Sequence, residues 1–121
     1  MTQTVFIIDD DEDIAESMSK VVQSMGLRVK QFTDPLLALE EAMDDPPDAM
    51  VVDQVMPSMM GTDFITKIRE NNIYPPIILC TGVANPQTKK TAALLNVIFI
   101  EKPLDSKSLV AMLRSMMDDA Q

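Results

Sequence analysis

The chain is short of several residue types that functional sites often use. Among its 121 residues there is no histidine, no tryptophan and a single cysteine, Cys80. Without histidine, the chain lacks the usual general base at neutral pH, the usual physiological pH switch and the commonest transition-metal ligand. A single cysteine allows no internal disulfide. Since the sequence shows neither a run of about 18 apolar residues nor a charged-then-apolar leader, we expect a cytoplasmic protein without membrane contact.

Basic residues are also scarce. Ten lysines and arginines stand against nineteen aspartates and glutamates, which gives a net charge of −9. This charge opposes contact with nucleic acid or an anionic membrane, so we do not expect the domain to bind DNA directly. Apolar residues make up 46% of the chain, which is enough for one hydrophobic core. We therefore predict a single domain over residues 1–121.

Short runs rich in valine and isoleucine alternate with longer segments of helical period. The strands are predicted at about residues 4–9, 27–32, 50–53, 77–80 and 97–100. The helices are predicted at about residues 13–25, 35–43, from 62 or 63 onwards, 85–95 and from 105 or 106 onwards. Five βα units suit an open, doubly wound parallel sheet of the α/β class, since a closed barrel takes eight strands and roughly twice this length.

The spacing of apolar residues predicts the buried faces of the first and last helices. In the first helix this face consists of Ile14, Met18, Val21, Val22 and Met25. In the last helix it consists of Leu109, Met112, Leu113 and Met116, with Val110, Ala111 and Met117 beyond the width that one buried face needs. We interpret this excess as a surface for a partner or a second copy of the chain.

Three carboxylates and a lysine lie where predicted strands end. Asp9 and Asp10 follow the first strand, Asp53 ends the third and Lys102 follows the fifth. Parallel strands joined by crossover helices place their C-terminal ends at one edge of the sheet, so these side chains are expected to meet. Clustered carboxylates repel one another unless they are protonated or hold a cation, which predicts a site for a hard divalent ion such as Mg²⁺. Lys102 is then available to neutralise an arriving anion.

Four motifs occur in order along the chain: Ile8-Asp9-Asp10-Asp11-Glu12, Val52-Asp53-Gln-Val-Met-Pro-Ser-Met-Met-Gly61, Cys80-Thr81-Gly82 and Ile100-Glu-Lys-Pro103. Together they resemble the receiver domain of two-component response regulators, over about residues 5–117. The resemblance implies a flavodoxin-like sheet with strand order 2-1-3-4-5. It also implies a phosphoacceptor, Asp53; a Mg²⁺ site made by Asp9, Asp10, Asp53 and the backbone carbonyl of Val55; and two groups that contact the phosphoryl group, Thr81 and Lys102.

The resemblance further implies a signalling switch, which catalyses its own phosphorylation and dephosphorylation. Thr81 and Phe99 would change conformation together, and the Lys102–Pro103 peptide bond would be cis. The implied donor is a sensor histidine kinase or a histidine phosphotransfer protein. The implied output is an output domain, a target protein or a homodimer, bound through the fourth helix, the fifth strand and the last helix.

The chemistry of such a site is also understandable from the residues themselves. A carboxylate is a weak nucleophile, but held in line with a phosphoryl donor it forms an acyl phosphate once the repulsion between two anions is cancelled. The Thr81 hydroxyl is able to donate to a phosphoryl oxygen, and Gly82 leaves space for it. Phosphorylation replaces one negative charge by roughly two and adds acceptor oxygens, which is enough to move a hydroxyl and an ammonium group.

Two features of the sequence depart from the family pattern, and two further residues bear on how long a phosphoryl group would persist. Gln54 stands where an apolar residue usually follows the phosphoacceptor, and Leu95-Asn96-Val97 replaces a turn that usually contains glycine. Val55 and Val83 follow Asp53 and Thr81 by two positions and, by the resemblance, flank the path of the attacking water. Valine offers that water no hydrogen bond, so we expect slow autodephosphorylation.

Other interpretations of these residues remain open. Asp11, Glu12 and Asp13 are expected to serve only as an acidic cap of the first helix. A Mg²⁺-dependent aspartyl-phosphate phosphohydrolase would share the chemistry, although its usual Asp-x-Asp-x-Thr signature is absent after Asp53. A flavin-binding electron carrier would share the sheet, but Asp9-Asp10-Asp11 would repel the flavin phosphate.

Overall fold

The computed structural model of the chain describes residues 2–83 and 85–119, in which strands and helices alternate. The strands are β1 (Thr4–Ile8), β2 (Arg28–Phe32), β3 (Ala49–Asp53), β4 (Ile77–Thr81) and β5 (Ile98–Glu101). The helices are α1 (Glu12–Gln23), α2 (Pro35–Asp44), α3 (Gly61–Glu70), α4 (Pro86–Leu94) and α5 (Ser106–Asp119). Within these ranges, no helix is long and apolar enough to cross a bilayer. The predicted elements are all present, with ends shifted by one or two residues.

The strands form one parallel sheet in the order β2-β1-β3-β4-β5. Every residue of β3 and β4 is buried, because helices cover both faces of a parallel sheet. The edge strands β2 and β5 are half-exposed. The predicted α/β class and the strand order implied by the resemblance are both confirmed.

Two hydrophobic cores lie on opposite faces of the sheet, because successive side chains of a strand point to opposite sides. One core packs Phe6, Val52 and Leu79 against α2, α3 and α4. The other packs Ile7 and Ile78, among others, against α1 and α5. The helices thereby fix the positions of the strand ends that carry the site.

Side chains cap most of the helices as the sequence predicts. Asp11 accepts hydrogen bonds at the start of α1, Asp34 at the start of α2 and Asn85 at the start of α4. The Asp105 carboxylate accepts from the Ser108 N–H at 2.7 Å, at the start of α5. In contrast, α3 begins at Gly61, before the predicted start, and its N-cap residue makes no side-chain hydrogen bond.

The buried faces of two helices differ in part from the prediction. Ile14 is 37% exposed, and Ala15 instead turns into the core together with Met18 and Val22. Met117 is only 4% exposed and packs with Leu109 and Leu113, so its assignment to a surplus surface was wrong. Both corrections follow from the helical repeat, which places residues four apart on the same face.

The turn before β5 adopts a left-handed conformation without glycine. Asn96 has φ +58°, and its N–H donates to the Ala93 carbonyl at 3.1 Å. Asparagine tolerates this region better than most residues do. The departure at Leu95-Asn96-Val97 therefore leaves a tight turn at this position.

Candidate functional site

The predicted site residues meet at the C-terminal edge of the sheet. Asp9 follows β1, Asp53 is the last residue of β3, Thr81 is the last residue of β4 and Lys102 follows β5. Parallel pairing brings these ends together, with Asp53 opposite Cys80 and Thr81 opposite Glu101 in the register. The order of the strands, which places β1 and β4 on either side of β3, therefore builds the site around Asp53.

Three carboxylates form an acidic cluster at this edge. Oxygen atoms of Asp9, Asp10 and Asp53 all lie within 4.8 Å of one another. Asp9 and Asp53 are 1% and 7% exposed, whereas Asp10 faces solvent. Two buried carboxylates and one open to solvent make a half-open cup of oxygen donors.

The Lys102 ammonium bridges the two buried carboxylates. Its Nζ lies 2.9 Å from Asp9 Oδ2 and 3.1 Å from Asp53 Oδ1. Burial alone would lower the pKa of Lys102, but the hydrogen bond to Asp9 and the charges of Asp9 and Asp53 outweigh it and raise this pKa. Lys102 is therefore a permanent cation at the floor of the cluster. The bond from Lys102 to Pro103 is cis, as the resemblance implies.

The charge of the Asp53 carboxylate is only partly compensated by Lys102. Burial and, next, the negative charge of Asp9 raise the pKa of Asp53 to about 6, although Lys102 opposes the shift. A single ammonium thus leaves net negative charge among three carboxylates at neutral pH. Hard oxygen donors with uncompensated negative charge and one solvent-open side suit a small divalent cation that keeps several waters, so the residues present fit Mg²⁺.

The acidic run after β1 divides into two roles. The Asp9 Oδ1 accepts the Asp11 N–H at 2.9 Å, which fixes the orientation of this carboxylate. The Asp11 carboxylate turns away and accepts the N–H groups of Asp13 and Ile14 at 3.0 and 3.2 Å. The structure therefore places Asp11 at the helix cap, and it brings only Asp9 and Asp10 to the cluster.

Thr81 lies beside the cluster, but its hydroxyl bonds within its own turn. The side chain is 1% exposed, and Oγ1 donates to the Val83 carbonyl at 3.1 Å and accepts the Val83 N–H at 3.2 Å. Phe99 is half-buried in the core beneath α2, α3 and α4. Because Phe99 pairs with Leu79 on β4, it shares a face of the sheet with Thr81.

The two valines expected to flank the water path are both open to solvent. Val55 is 56% exposed and Val83 is 70% exposed. Exposed apolar side chains therefore lie in the segments that follow β3 and β4, two residues after Asp53 and Thr81. The ligand role of the Val55 carbonyl stays a prediction.

Two further residues contact the Asp53 segment, and the sequence did not predict this contribution to the site. A Cβ atom on Gly61 would lie 2.5 Å from the Asp53 carbonyl oxygen, so only glycine allows α3 to approach the strand end this closely. Gln54 is 5% exposed and hydrogen-bonded to the start of α3. For Gly61 the sequence did carry a signal, because glycine is disfavoured in helices and its presence in the first turn of α3 indicates a close contact.

Cys80 is a packed strand residue and not a nucleophile. Burial raises the pKa of its thiol to about 12, so the reactive thiolate is essentially absent at neutral pH. An apolar cavity of about 500 Å³ adjoins it, between α1 and the segment that follows β5. The cavity is lined by Asp13, Ile14, Ser17, Met18, Cys80, Lys102, Pro103 and Leu104.

Comparison with known proteins identifies one family. The model of the response regulator receiver domain matches residues 5–114. Nodulation protein W of Bradyrhizobium diazoefficiens is 31% identical over 107 residues, which cover 88% of this chain and 47% of that protein. A protein-glutamate methylesterase/protein-glutamine glutaminase of Anaeromyxobacter dehalogenans is 30% identical over 106 residues, which cover 85% of this chain and 30% of that protein. The chain thus spans less than half the length of either relative.

Solved structures show the same fold. A CheY-like response regulator receiver domain protein from Methanospirillum hungatei superposes with a TM-score of 0.93 at 20% identity, covering 98% of this chain and 96% of that one. The chemotaxis protein CheY4 of Vibrio cholerae gives a TM-score of 0.85 at 24% identity, covering 96% and 99%. At these identities the likeness concerns the fold alone.

Proposed function

The chain belongs to the response regulator receiver domain family of two-component systems, and from that premise we propose that it is a switch phosphorylated on Asp53. The donor is the phosphohistidine of a sensor kinase or of a histidine phosphotransfer protein. We also propose that residues 1–121 constitute one receiver unit. The observation that carries the proposal is the position of Asp53, which is buried 3.1 Å from the Lys102 ammonium with an oxygen within 4.8 Å of oxygens of Asp9 and Asp10.

The metal site proposed for this edge uses Asp9, Asp10, Asp53 and the backbone carbonyl of Val55. Their spacing and uncompensated charge support Mg²⁺. When bound, Mg²⁺ would neutralise developing charge on the phosphoryl oxygens. Asp9, fixed by the Asp11 N–H, and Asp10, open to solvent, are the residues that would hold it beside the nucleophile.

The remaining steps belong to Lys102 and Thr81. Lys102 already lies 3.1 Å from the Asp53 carboxylate, so its ammonium is in place to pair with a phosphoryl oxygen on that side chain. The Thr81 hydroxyl, now bonded to Val83, would rotate to donate to a second phosphoryl oxygen. Catalysis by this chain therefore consists of positioning and charge neutralisation, as phosphoryl transfer requires.

The switch proposed for this chain couples Thr81 to Phe99. Rotation of the Thr81 side chain toward Asp53 vacates space on the face of the sheet that both residues share, and Phe99 turns inward to fill it. The surface of α4, β5 and α5 changes as a result. That surface is where we place the output contact, with an output domain, a target protein or a second copy of the chain.

The donor is proposed to be a protein because apolar side chains line part of the surface around the acidic cluster. Ile14 and Leu104 line the 500 Å³ cavity beside Lys102, and Val55 and Val83 are exposed on the other loops. An apolar rim around a charged centre suits the side chains of a docked protein. A small phosphate ester would leave this rim in water.

The test of the proposal is phosphorylation by acetyl phosphate, followed by intact mass. With Mg²⁺ present, the protein should gain one phosphoryl group that hydroxylamine removes, and chelation of Mg²⁺ should prevent the gain. Asp10→Ala should weaken Mg²⁺ binding by well over about tenfold, since it removes a charged ligand rather than a supporting contact. Glu12→Ala, which removes the same charge from an exposed position outside the cluster, is the matched control and should bind Mg²⁺ normally.

Two outcomes would overturn the proposal. Equal phosphorylation with and without Mg²⁺ would show that the reaction does not depend on the metal. Steady release of phosphate from small phosphate esters over many turnovers, without accumulation of a phosphoprotein, would point instead to the phosphohydrolase.

A further inference from the structure

Gln54, the residue after the proposed phosphoacceptor, is fixed by hydrogen bonds to β4 and to α3. Its backbone N–H donates to the Cys80 carbonyl and its backbone carbonyl accepts the Gly61 N–H, both at 2.8 Å. Its side-chain Oε1 accepts the Thr62 N–H at 2.9 Å, and its Nε2 contacts Thr62 Oγ1 at 3.3 Å. With only 5% of the residue exposed, this amide is part of the structure rather than of the surface.

The contacts of Gln54 replace the cap that α3 lacks. The first N–H groups of a helix have no partner inside it, and a side chain at the N-cap position usually accepts one of them. Met60 occupies that position here and makes no side-chain hydrogen bond. Gln54 reaches α3 from eight residues upstream and accepts the Thr62 N–H in its place.

These contacts also close the base of the β3–α3 loop. The loop starts at Gln54 and returns to Gly61 and Thr62, so the hydrogen bonds of Gln54 join its two ends. Asp53 precedes the closed base and Val55 follows it directly. Because Gly61 has no side chain, the start of α3 packs closely against the Asp53 carbonyl. This packing is a second contact between the two ends of the loop.

We propose that Gln54 is a positioning residue whose side-chain amide, through its hydrogen bond to the start of α3, pre-places the Val55 carbonyl for the cation, while Lys102 holds the Asp53 carboxylate. The inference rests on the proposed function, since it concerns the affinity of the same site. Gln54 touches neither phosphoryl donor nor metal. Its contribution is the loop geometry, so its loss should lower Mg²⁺ affinity while leaving the rate of phosphorylation at saturating Mg²⁺ nearly intact.

The test compares Gln54→Met with the unmodified protein. Methionine keeps the length of the side chain and removes the amide, and an apolar residue at this position agrees with the family pattern. The Mg²⁺ dissociation constant, measured by calorimetry, should rise about tenfold, the lower end of the range for a lost supporting partner. In the metal-free protein, the Thr62 amide should exchange its hydrogen faster, because it has lost its acceptor.

Ile68→Val is the matched control. It trims a fully buried side chain of the same helix and lowers stability without removing any of the hydrogen bonds that Gln54 makes. The Mg²⁺ dissociation constant of Ile68→Val should equal that of the unmodified protein. The exchange rate of its Thr62 amide should also be unchanged, once the lower global stability of the variant is taken into account. If Gln54 only stabilised the fold, Gln54→Met and Ile68→Val would each lose Mg²⁺ affinity in proportion to the stability that they lose.

The possible results separate this inference from the proposed function. If the unmodified protein binds no Mg²⁺, both fail. If it binds Mg²⁺ and Gln54→Met binds equally well, only the positioning role is overturned. The role is also overturned if Gln54→Met lowers the rate at saturating Mg²⁺ as much as at low Mg²⁺, or if Ile68→Val weakens binding to the same extent.

Discussion

At the scale of single residues, the charge of Asp53 costs the folded protein stability. The pKa of this carboxyl rises from an ordinary value of 3.8 to about 6, through burial and then through the charge of Asp9. Between these two values the unfolded chain loses the proton while the folded chain keeps it, so stability falls as pH rises from 3.8 to 6. Above about pH 6 the carboxyl is ionised in both states, so stability falls no further on its account. The same uncompensated charge is what would attract a cation.

Replacement of Asp53 by a neutral isostere should therefore stabilise the metal-free protein. Asp53→Asn should raise the free energy of unfolding by on the order of 3 kcal/mol above pH 6, and the gain should vanish below about pH 3.8. Urea denaturation at several pH values, in chelator, measures it. Glu40→Gln, which removes one negative charge from an exposed position on α2, is the control for the change in net charge. A loss of stability in Asp53→Asn at pH 7.5 would contradict the charge balance described here.

The lifetime of the phosphoryl group also depends on single residues. Val55 and Val83 are 56% and 70% exposed beside the cluster and offer a water no hydrogen bond. We predict that the isolated phosphoprotein persists well beyond seconds, and that Val55→Asn or Val83→Glu shortens its lifetime more than it lowers phosphorylation. Decay in Mg²⁺ buffer after removal of acetyl phosphate is the measurement. Decay within seconds in the unmodified protein, or no acceleration in either variant, would show that other groups control the water.

At the scale of elements, the sequence predicted most of the architecture because local signals agreed. Caps at Asp34 and Asn85 sit next to prolines at the helix starts, and both helices begin there. The start of α3 was predicted late because no capping residue marks it, and the acceptor comes from Gln54. Such a contact depends on how two elements pack, which the sequence near residue 61 does not encode.

The site itself was foreseeable in composition but not in conformation. The cluster was predicted from the positions of Asp9, Asp53 and Lys102 at or just after the ends of strands, because parallel pairing places these ends at the same edge of the sheet. The hydrogen bonds of the Thr81 hydroxyl to Val83 depend on one rotamer, which the sequence does not determine. The close approach of Gly61 to the Asp53 carbonyl likewise needed the packing of α3.

The helix α4 is the element best suited to move. Among its described side chains, Ala92 alone is fully buried, and Leu94 is 80% exposed. Elements with few buried contacts open at low cost. An output that acts through α4 therefore needs little free energy from the phosphoryl group.

We predict that a beryllofluoride mimic of the phosphoryl group changes amide exchange over residues 82 to 100. The reason is the proposed movement of Thr81 and Phe99, which lie at the ends of this segment. Exchange should be compared in Mg²⁺ with and without beryllofluoride. Asp53→Asn is the control, because it should bind no mimic and show no change. An unchanged pattern in the unmodified protein would exclude the α4, β5 and α5 surface as the output.

At the scale of the whole molecule, fold, charge and family membership describe a module that responds to a signal. The parallel sheet brings three carboxylates and one ammonium to a single edge. The net charge of −9 opposes direct contact with nucleic acid. The chain spans less than half the length of the relatives reported above.

The most direct test of the central claim is to locate the phosphoryl group. After phosphorylation by acetyl phosphate in Mg²⁺, reduction with borohydride converts an aspartyl phosphate to homoserine, which peptide mass spectrometry identifies by position. We predict homoserine at residue 53 alone, and an Asp53→Asn variant that takes up no phosphoryl group. Modification of Asp9 or Asp10 in place of Asp53, or full phosphorylation of Asp53→Asn, would contradict the account.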